Sequence, residues 1–251
     1  MKNGSPQGFH RGDQVIKTVL FDLDGTLLPV DFDVFLRRYF QAVTPYFKNM
    51  AEPAPFLKCL MFSTEEMVKN PGQYTNEEVF MTSFLPGMQQ EKETVYDLFN
   101  LFYEQEFPKL KQYAGYSHLA EQIVSRVVEK GYQIALATNP VFPRMATEQR
   151  MIWAGVAHFP WALVTTYETS CGCKPHLHYF QEICAKLGVA PEECLMVGND
   201  VQEDLVAGTM GMATFLVTDC LIDRGEPGFQ ADHMGSLEQL YHFVSNLPCV
   251  E

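Results

Sequence analysis

The second half of the chain alternates between short apolar runs and longer segments whose apolar residues recur at helical spacing. The runs span residues 132–137, 162–166, 194–197 and 213–217, and a similar run at 15–21 precedes them. Between them, residues 119–129, 144–154, 177–187, 205–210 and 237–247 have the helical pattern. Short uninterrupted apolar runs are typical of strands that are buried on both faces. Strands that alternate with helices in this way form right-handed βαβ units, so the pattern predicts an α/β fold with a doubly wound, mainly parallel sheet.

The long segment between the first and second predicted strands breaks this alternation. Helical spacing of apolar residues runs through 32–47, 56–69, 76–85 and 91–110, with many Phe and Tyr among them. We therefore expect a helical cap domain inserted at 31–112, a catalytic core made of 15–30 and 113–251, and a loose tail at 1–14. Most aromatic residues of the cap should pack in its interior, and some should face the cleft between the domains. Four cations of the cap are expected to be solvated surface charges: Arg37, Arg38, Lys58 and Lys69.

The composition limits the partners and the location. The chain has 251 residues, 47% of them hydrophobic and 20% charged, as in an ordinary soluble globular protein. Its net charge of −13 argues against nucleic acid, which proteins bind through Lys and Arg. No run approaches the roughly 20 apolar residues of a membrane span, and residues 1–14 lack the apolar core of a signal peptide. Together with an odd number of Cys, these features predict a cytoplasmic protein with reduced thiols and no membrane contact, and they leave the oligomeric state open.

Polar residues that could take part in catalysis or bind a ligand follow three of the predicted strands. They are Asp22 and Asp24 after the first, Thr138 and Asn139 after the second, and Asn199 and Asp200 after the fourth, with Lys174 in the loop before a helix. In an open parallel sheet, ligands bind at the carboxyl ends of the strands. We therefore expect these separate segments to converge on one site.

Two carboxylates at positions i and i+2, directly after a strand, suit phosphoryl transfer. One carboxylate can attack phosphorus while the other handles a proton. Because both the carboxylate and a phosphate ester are anions, their repulsion must be neutralised, and Mg²⁺ held by oxygen ligands does this well. Asp200 is the best remaining hard ligand, Lys174 could bind both the nucleophile and the phosphate, and Thr138 with its neighbouring backbone N–H could donate to a phosphate oxygen.

From residue 15 to about residue 247, the sequence resembles the haloacid dehalogenase superfamily of Rossmann-like hydrolases. The four motifs of that family are matched in order by residues 22–27 (Asp-Leu-Asp-Gly-Thr-Leu), by Thr138, by Lys174 with Pro175, and by Gly198-Asn199-Asp200 with Asp204. The resemblance implies that Asp22 forms an aspartyl-phosphate and that Asp24 is the general acid and base. It also implies that Mg²⁺ is bound by Asp22, the backbone carbonyl of Asp24 and Asp200, and that a helical cap lies between the first and second motifs.

The fourth motif departs from the family pattern. It usually reads Gly-Asp, whereas here Gly198 is followed by Asn199 and the carboxylate comes one position later. We assign Asp200 as the metal ligand because an anion neutralises Mg²⁺ better than an amide does. Asn199 and Asp204 are supporting or direct ligands in this interpretation, and Thr138, Asn139 and Lys174 bind the substrate phosphate.

The second carboxylate selects among the reactions of this superfamily. The alkoxide of a phosphate ester needs a proton when it leaves, and Asp24 can supply it. Dehalogenases and phosphonatases of the superfamily have other residues there. The sequence therefore predicts a Mg²⁺-dependent phosphatase for a small phosphate monoester. A phosphomutase resembling beta-phosphoglucomutase is an alternative, and so is a non-catalytic binding or regulatory member, which would be expected to lose one of the four chemical residues that this chain keeps.

A cluster near the third motif has the composition of a soft-metal site: Cys171, Cys173, His176 and His178. A structural zinc site normally takes four ligands in two spaced pairs, whereas Lys174 and Pro175 interrupt this cluster. We interpret its thiols and imidazoles as neighbours of the active site rather than as metal ligands.

Overall fold

One parallel sheet of six strands organises the molecule, and the computed structural model describes it within residues 15–250. The strands are β1 (Thr18–Phe21), β2 (Gln133–Leu136), β3 (Leu163–Val164), β4 (Cys194–Gly198), β5 (Ala213–Val217) and β6 (His233–Gly235). Their order is β3-β2-β1-β4-β5-β6. Because β1 lies at the centre and the chain builds outward on both sides of it, the sheet is doubly wound, which confirms the predicted fold class. The predicted tail at 1–14 lies outside the described residues.

Helices cover both faces of the sheet. They are α5 (His118–Glu129), α6 (Arg144–Trp153), α7 (Leu177–Leu187) and α8 (Leu237–Asn246), with a 3₁₀ helix at Leu205–Met210 where the pattern predicted an α-helix. Successive side chains of a strand point to opposite faces. Val19 and Phe21 accordingly join the core under α5 and α8, whereas Leu20 joins the core under α7.

The sequence pattern did not predict β6, and it overestimated the length of β3. Strand β6 has three residues at the sheet edge, and its apolar residue Met234 is 63% exposed, so no apolar run marks it. The predicted strand at 162–166 contains only two paired residues. Edge strands are short and weakly patterned because only one side of them pairs with a neighbour.

Four helices connect β1 to α5 and are called the cap helices here: α1 (Phe32–Val43), α2 (Pro53–Val68), α3 (Asn76–Met88) and α4 (Lys92–Gln105). The 3₁₀ helices Thr44–Phe47 and Phe107–Tyr113 extend α1 and α4. In the cap interior the rings of Phe47 and Phe56 stack at 4.6 Å. The predicted boundaries at 31–112 and 113–251 stay a prediction.

The aromatic core of the cap helices continues into the sheet domain. The ring of Phe107 stacks on Trp153 of α6 at 5.4 Å, and Tyr39 of α1 meets Phe142 edge-on at 5.4 Å. Buried residues of the cap helices and of one sheet face therefore belong to a single apolar cluster. Such contacts stabilise the position of the cap helices over the carboxyl ends of the strands.

Asn76, the first residue of α3, attaches the cap helices to two loops of the sheet domain. Its side-chain amide donates to the carbonyl oxygens of Pro140 and Gly172, each at 3.1 Å, and its backbone N–H donates to the carbonyl of Ser170 at 2.8 Å. Its side-chain oxygen accepts from Asn70 at 2.8 Å. Every polar atom of this fully buried side chain thus has a partner, as buried amides require.

Among the helices of residues 15–250, the structure contains none that is both long and apolar enough to cross a membrane.

Candidate active site

Asp22 lies one residue past β1, at the centre of the sheet edge. Its backbone N–H donates to the carbonyl of Val197 at 2.9 Å, which continues the β1–β4 ladder and fixes the direction of its side chain. Its carboxylate is nearly buried and accepts from Lys174 Nζ at 2.8 Å and from Thr26 Oγ1 at 3.3 Å. A strand end, a lysine and a hydroxyl therefore hold this carboxylate in one orientation.

Lys174 bridges two carboxylates in the interior. Its side chain is 1% exposed, and Nζ donates to Asp204 Oδ1 at 2.6 Å as well as to Asp22. Burial alone would lower the pKa of Lys174, but the negative charges of Asp204 and Asp22 outweigh it and hold that pKa well above its usual range. Asp204 Oδ2 also accepts from the backbone N–H of Asp200 at 3.0 Å. The lysine is thus a permanent, positioned cation, and Asp204 orients it.

Asp24 is paired with a cation that the sequence analysis did not single out. The guanidinium of Arg150, on α6, donates to Asp24 Oδ2. Arg150 is 1% exposed, its Nε donates to the Ala146 carbonyl at 3.2 Å, and its guanidinium lies 4.6 Å from the ring centre of Phe142. The sequence does mark this arginine as unusual. Arg150 lies four residues after the buried Ala146, on the helix face that should be apolar.

Burial raises the pKa of Asp24, and the neighbouring Arg150 opposes that shift. The carboxyl therefore keeps a proton to higher pH than a solvated aspartate does. A carboxyl group with a raised pKa is better suited to general acid and base chemistry than an ordinary aspartate.

Asn199 is packed against the first motif. Its Oδ1 accepts from Thr26 Oγ1 at 2.9 Å, and its Nδ2 donates to the Cys220 carbonyl at 2.7 Å. Gly25 has a φ of +87°, and a Cβ on it would lie 2.3 Å from Asn199 Nδ2. Only glycine fits there, because both the positive φ and the close approach exclude a side chain.

Asp200 is paired with Arg224, another residue that the sequence analysis missed. The guanidinium Nη1 of Arg224 lies 2.7 and 2.6 Å from the two oxygens of Asp200. Asp200 Oδ1 also accepts from the backbone N–H groups of Gln202 and Glu203 at 3.0 and 2.9 Å. Arg224 follows β5 in a loop without a hydrophobic pattern, so nothing in its local sequence connects it to this site.

The loop after β2 delivers Thr138 and Asn139 to the same place. Thr138 is buried, and its carbonyl accepts from Thr165 Oγ1 at 2.7 Å and from the Tyr179 hydroxyl at 2.8 Å. Asn139 Nδ2 donates to Glu203 Oε2 at 3.1 Å, while Asn139 Oδ1 is buried with no partner among the described residues. Burial raises the pKa of Glu203, which was also missed from the sequence.

These residues surround one cleft of about 130 Å³ at the carboxyl ends of β1, β2 and β4. All eight residues singled out from the sequence line it: Asp22, Asp24, Thr138, Asn139, Lys174, Asn199, Asp200 and Asp204. The expected convergence is thereby found, while the chemical role of each residue stays a prediction.

The donor atoms of this cleft fit a hard cation. Within residues 15–250, no three His, Cys, Asp or Glu side chains converge as a metal cage. Mg²⁺ does not need one, because it binds proteins through one or two carboxylates and keeps several waters. Asp22 and Asp200 would supply the carboxylates, the backbone of Asp24 a carbonyl, and Asn199 an amide oxygen. For Asp200 to bind a cation, however, Arg224 must share or release the Asp200 carboxylate.

Cys173, of the Cys/His cluster, packs at the base of α3. Its sulfur accepts from Asn76 Nδ2 at 3.3 Å and donates to the Met67 carbonyl at 3.7 Å, and burial raises its pKa to about 12. The rings of His176 and His178 stack on each other with centres 5.4 Å apart. A neutral, packed thiol is a poor metal ligand, which is consistent with the interpretation of the cluster as neighbours of the active site.

Two solved structures share this fold. The HAD phosphatase from Thermococcus onnurineus aligns with a TM-score of 0.53 and 20% identity, covering 94% of this chain and 100% of that one. The HAD hydrolase YfnB from Bacillus subtilis, a structure bound to magnesium, aligns with a TM-score of 0.54 and 18% identity, covering 93% of this chain and 100% of that one.

Sequence comparison identifies the family. Pyrophosphatase PpaX from Bacillus cereus is 26% identical over 228 residues, which cover 88% of this chain and 94% of that protein. The family model of the haloacid dehalogenase-like hydrolases matches residues 16–209, a range that contains every predicted site residue. The chain therefore belongs to the haloacid dehalogenase-like hydrolases.

Proposed function

We propose that this protein is a Mg²⁺-dependent phosphatase that hydrolyses a small phosphate monoester through an aspartyl-phosphate on Asp22. One observation carries the proposal: a carboxylate held by Lys174 at 2.8 Å and a second, more basic carboxyl at Asp24 line the same cleft. The phosphatase and pyrophosphatase names of the similar proteins support it.

In the first half of the reaction, an oxygen of Asp22 attacks phosphorus and a bond from that oxygen to phosphorus forms. The bond between phosphorus and the ester oxygen breaks, and Asp24 gives its proton to the leaving alkoxide. In the second half, Asp24 takes a proton from water, the water oxygen attacks phosphorus, and Asp22 leaves as a carboxylate. The enzyme is regenerated, and the products are an alcohol and inorganic phosphate.

Positive and hydrogen-bonding groups of the cleft bind the phosphate. Lys174 offers a buried ammonium to the phosphate oxygens while it orients Asp22. Thr138, with the backbone N–H of Asn139, can donate to a phosphate oxygen from the carboxyl end of the neighbouring strand β2. These donors are in position before the substrate arrives, so little reorganisation is needed during the reaction.

Asp22, the carbonyl of Asp24 and Asp200 would hold Mg²⁺, with Asn199 or Asp204 as a supporting group. The cation would neutralise the repulsion between the Asp22 carboxylate and the phosphate dianion. The magnesium in the YfnB structure supports this proposal.

The proposal is tested by phosphate release from acetyl phosphate and a panel of phosphate monoesters, with Mg²⁺ and after its removal by EDTA. We expect release that requires Mg²⁺ and disappears in the Asp22→Asn variant. A sugar phosphate that isomerises without phosphate release would establish the phosphomutase instead. If the wild-type protein neither hydrolyses nor isomerises any of these compounds, the non-catalytic alternative is favoured.

A further inference from the structure

A second cavity, of about 310 Å³, lies between the cap helices and the sheet domain. Four of its lining residues also line the catalytic cleft: Phe32, Asn139, Val141 and Phe142. The two spaces therefore meet at these four side chains. A phosphate bound next to Asp22 would direct the remainder of its molecule toward this cavity.

The walls of the cavity are apolar and carry almost no charge. Aromatic rings line it from three cap helices, with Phe40 on α1, Phe80 on α3 and Phe99 on α4. None of the described lining residues is Lys, Arg or His, and Glu65 is the one carboxylate among them. The cap cations Arg37, Arg38, Lys58 and Lys69 are all exposed and lie outside the lining. A second anionic group on the substrate would find no cation in this wall.

Two of the three tyrosine hydroxyls of the wall satisfy each other. The hydroxyls of Tyr39 and Tyr103 lie 2.9 Å apart and share a hydrogen bond. Burial raises the pKa of Tyr39 to about 12 and that of Tyr103 well above its usual value, so both remain neutral. A substrate hydroxyl placed against this pair would have to break its hydrogen bond or remain unpaired, and either costs binding.

We propose that this cavity binds the organic part of the substrate and that this part is an uncharged, apolar group such as an aromatic ring. The proposal deepens the phosphatase function and depends on it for the reaction, though not for binding. An apolar cavity of about 150 Å³ can hold a benzene molecule, so the present cavity has room for one or two rings. Pyrophosphate is the substrate in the name of the Bacillus cereus relative. Its second phosphate would place negative charge against a cavity wall whose described residues include no cation.

Phosphate monoesters of two primary alcohols that differ in polarity test the proposal directly. We expect kcat/KM for benzyl phosphate to exceed that for glycerol 3-phosphate by at least about tenfold, because the ring leaves water and the glycerol hydroxyls lose hydrogen bonds. Equal values, or a preference for glycerol 3-phosphate, pyrophosphate or 2-phosphoglycolate, would overturn it.

Two adjacent residues of α2 provide a matched pair of variants. Met61 lines the cavity and is 51% exposed, whereas its neighbour Phe62 is 52% exposed and lies outside the lining. In Met61→Lys we expect the ratio of kcat/KM for benzyl phosphate to that for acetyl phosphate to fall about tenfold, since an ammonium then borders the ring. The same ratio should not change in Phe62→Lys. A general loss of folding lowers both rates together, so an unchanged ratio in Met61→Lys counts against the proposal.

Binding of a non-hydrolysable compound separates this inference from the proposed reaction. Isothermal titration with benzylphosphonate and phosphonoacetate measures the preference of the cavity without any turnover. Tighter binding of benzylphosphonate, weakened by Met61→Lys, supports the cavity assignment even if no phosphate is ever released. Phosphate release together with tighter binding of phosphonoacetate would preserve the phosphatase and reject the apolar substrate.

Discussion

The catalytic cleft and the apolar cavity meet at four side chains, yet they are built in opposite ways. The cleft collects charged groups that are paired with one another, such as Lys174 with Asp22 and Asp204 and Arg150 with Asp24. The cavity collects aromatic rings, and two of its hydroxyls, those of Tyr39 and Tyr103, pair with each other. We therefore expect the cleft to bind the phosphate, which every phosphate ester shares, and the cavity to bind the organic group, which distinguishes one ester from another.

The largest effect should come from Asp22, the proposed nucleophile, at the centre of the cleft. Asp22→Asn removes the anion that attacks phosphorus while it keeps the size of the side chain, so kcat/KM should fall by about 10³-fold or more for every substrate. Phosphate release under saturating Mg²⁺ measures it. A loss confined to aromatic esters would contradict the separation between cleft and cavity.

Lys174→Met should destabilise the fold as well as stop the reaction. It leaves two buried carboxylates, Asp22 and Asp204, without their cation, and breaking a buried ion pair in this way costs about 3–5 kcal/mol of the free energy of unfolding.

Urea denaturation measures this loss, with Lys186→Met as the control. Lys186 forms an exposed pair with Glu182 four residues earlier on α7, and its removal should cost only about 0.5 kcal/mol. Equal losses in the two variants would mean that the buried triad does not stabilise the protein.

Arg150→Met should change how the reaction depends on pH. Burial raises the pKa of Asp24 and Arg150 lowers it, so removing the guanidinium raises that pKa further. In the proposed reaction Asp24 must be protonated before it can give its proton to the leaving group, so the alkaline limb of kcat/KM should move to higher pH. We also expect a fall of about tenfold at neutral pH, because Asp24 loses the partner that positions it.

The pH profile of Arg144→Met is the control for this prediction, because Arg144 lies exposed on the same helix and pairs with Glu148. Its profile should match that of the wild-type protein. An alkaline limb that stays at its wild-type position in Arg150→Met would show that the arginine does not act on Asp24.

The smallest effect is expected in the cavity. Tyr103→Phe removes one of the two paired hydroxyls and leaves that of Tyr39 buried without its partner, which should cost about 1 kcal/mol in the free energy of unfolding. Thermal and urea unfolding measure this cost. Relative activity toward glycerol 3-phosphate should rise slightly, because the freed Tyr39 hydroxyl can pair with a substrate hydroxyl, and an unchanged ratio would mean that the hydroxyl pair does not select against polar substrates.

The same contrast explains what the sequence could predict. Six polar residues of the cleft follow strands, and strand order brings them to one edge, so they were found from their positions after apolar runs. Lys174 was found from its loop before a helix, and Asp204 from the family resemblance. Helix α7 and strand β5 have the predicted bounds because a Gly or a buried run marks their ends. The family resemblance supplied roles that spacing alone does not.

Other parts of the site left no local signal. Arg150, Glu203 and Arg224 act through contacts between segments far apart in the chain, and a lone charge in a helix or loop is usually a surface charge. The cavity is lined by all four cap helices and by loops of the sheet domain, so its shape depends on how side chains are aimed. A helical period gives the buried face of each helix and not the direction of its rings.

Aromatic rings of the cap helices interleave with rings of the sheet domain. This packing limits how the substrate preference of one family member could be transferred to another. Phe142 and Trp153 lie outside residues 31–112, yet they pack against Tyr39 and Phe107 of the inserted segment. Grafting only that segment onto another member of the family would pair these rings with foreign partners and leave gaps in a common interior. The transferable unit is the inserted segment together with the loop after β2 and helix α6.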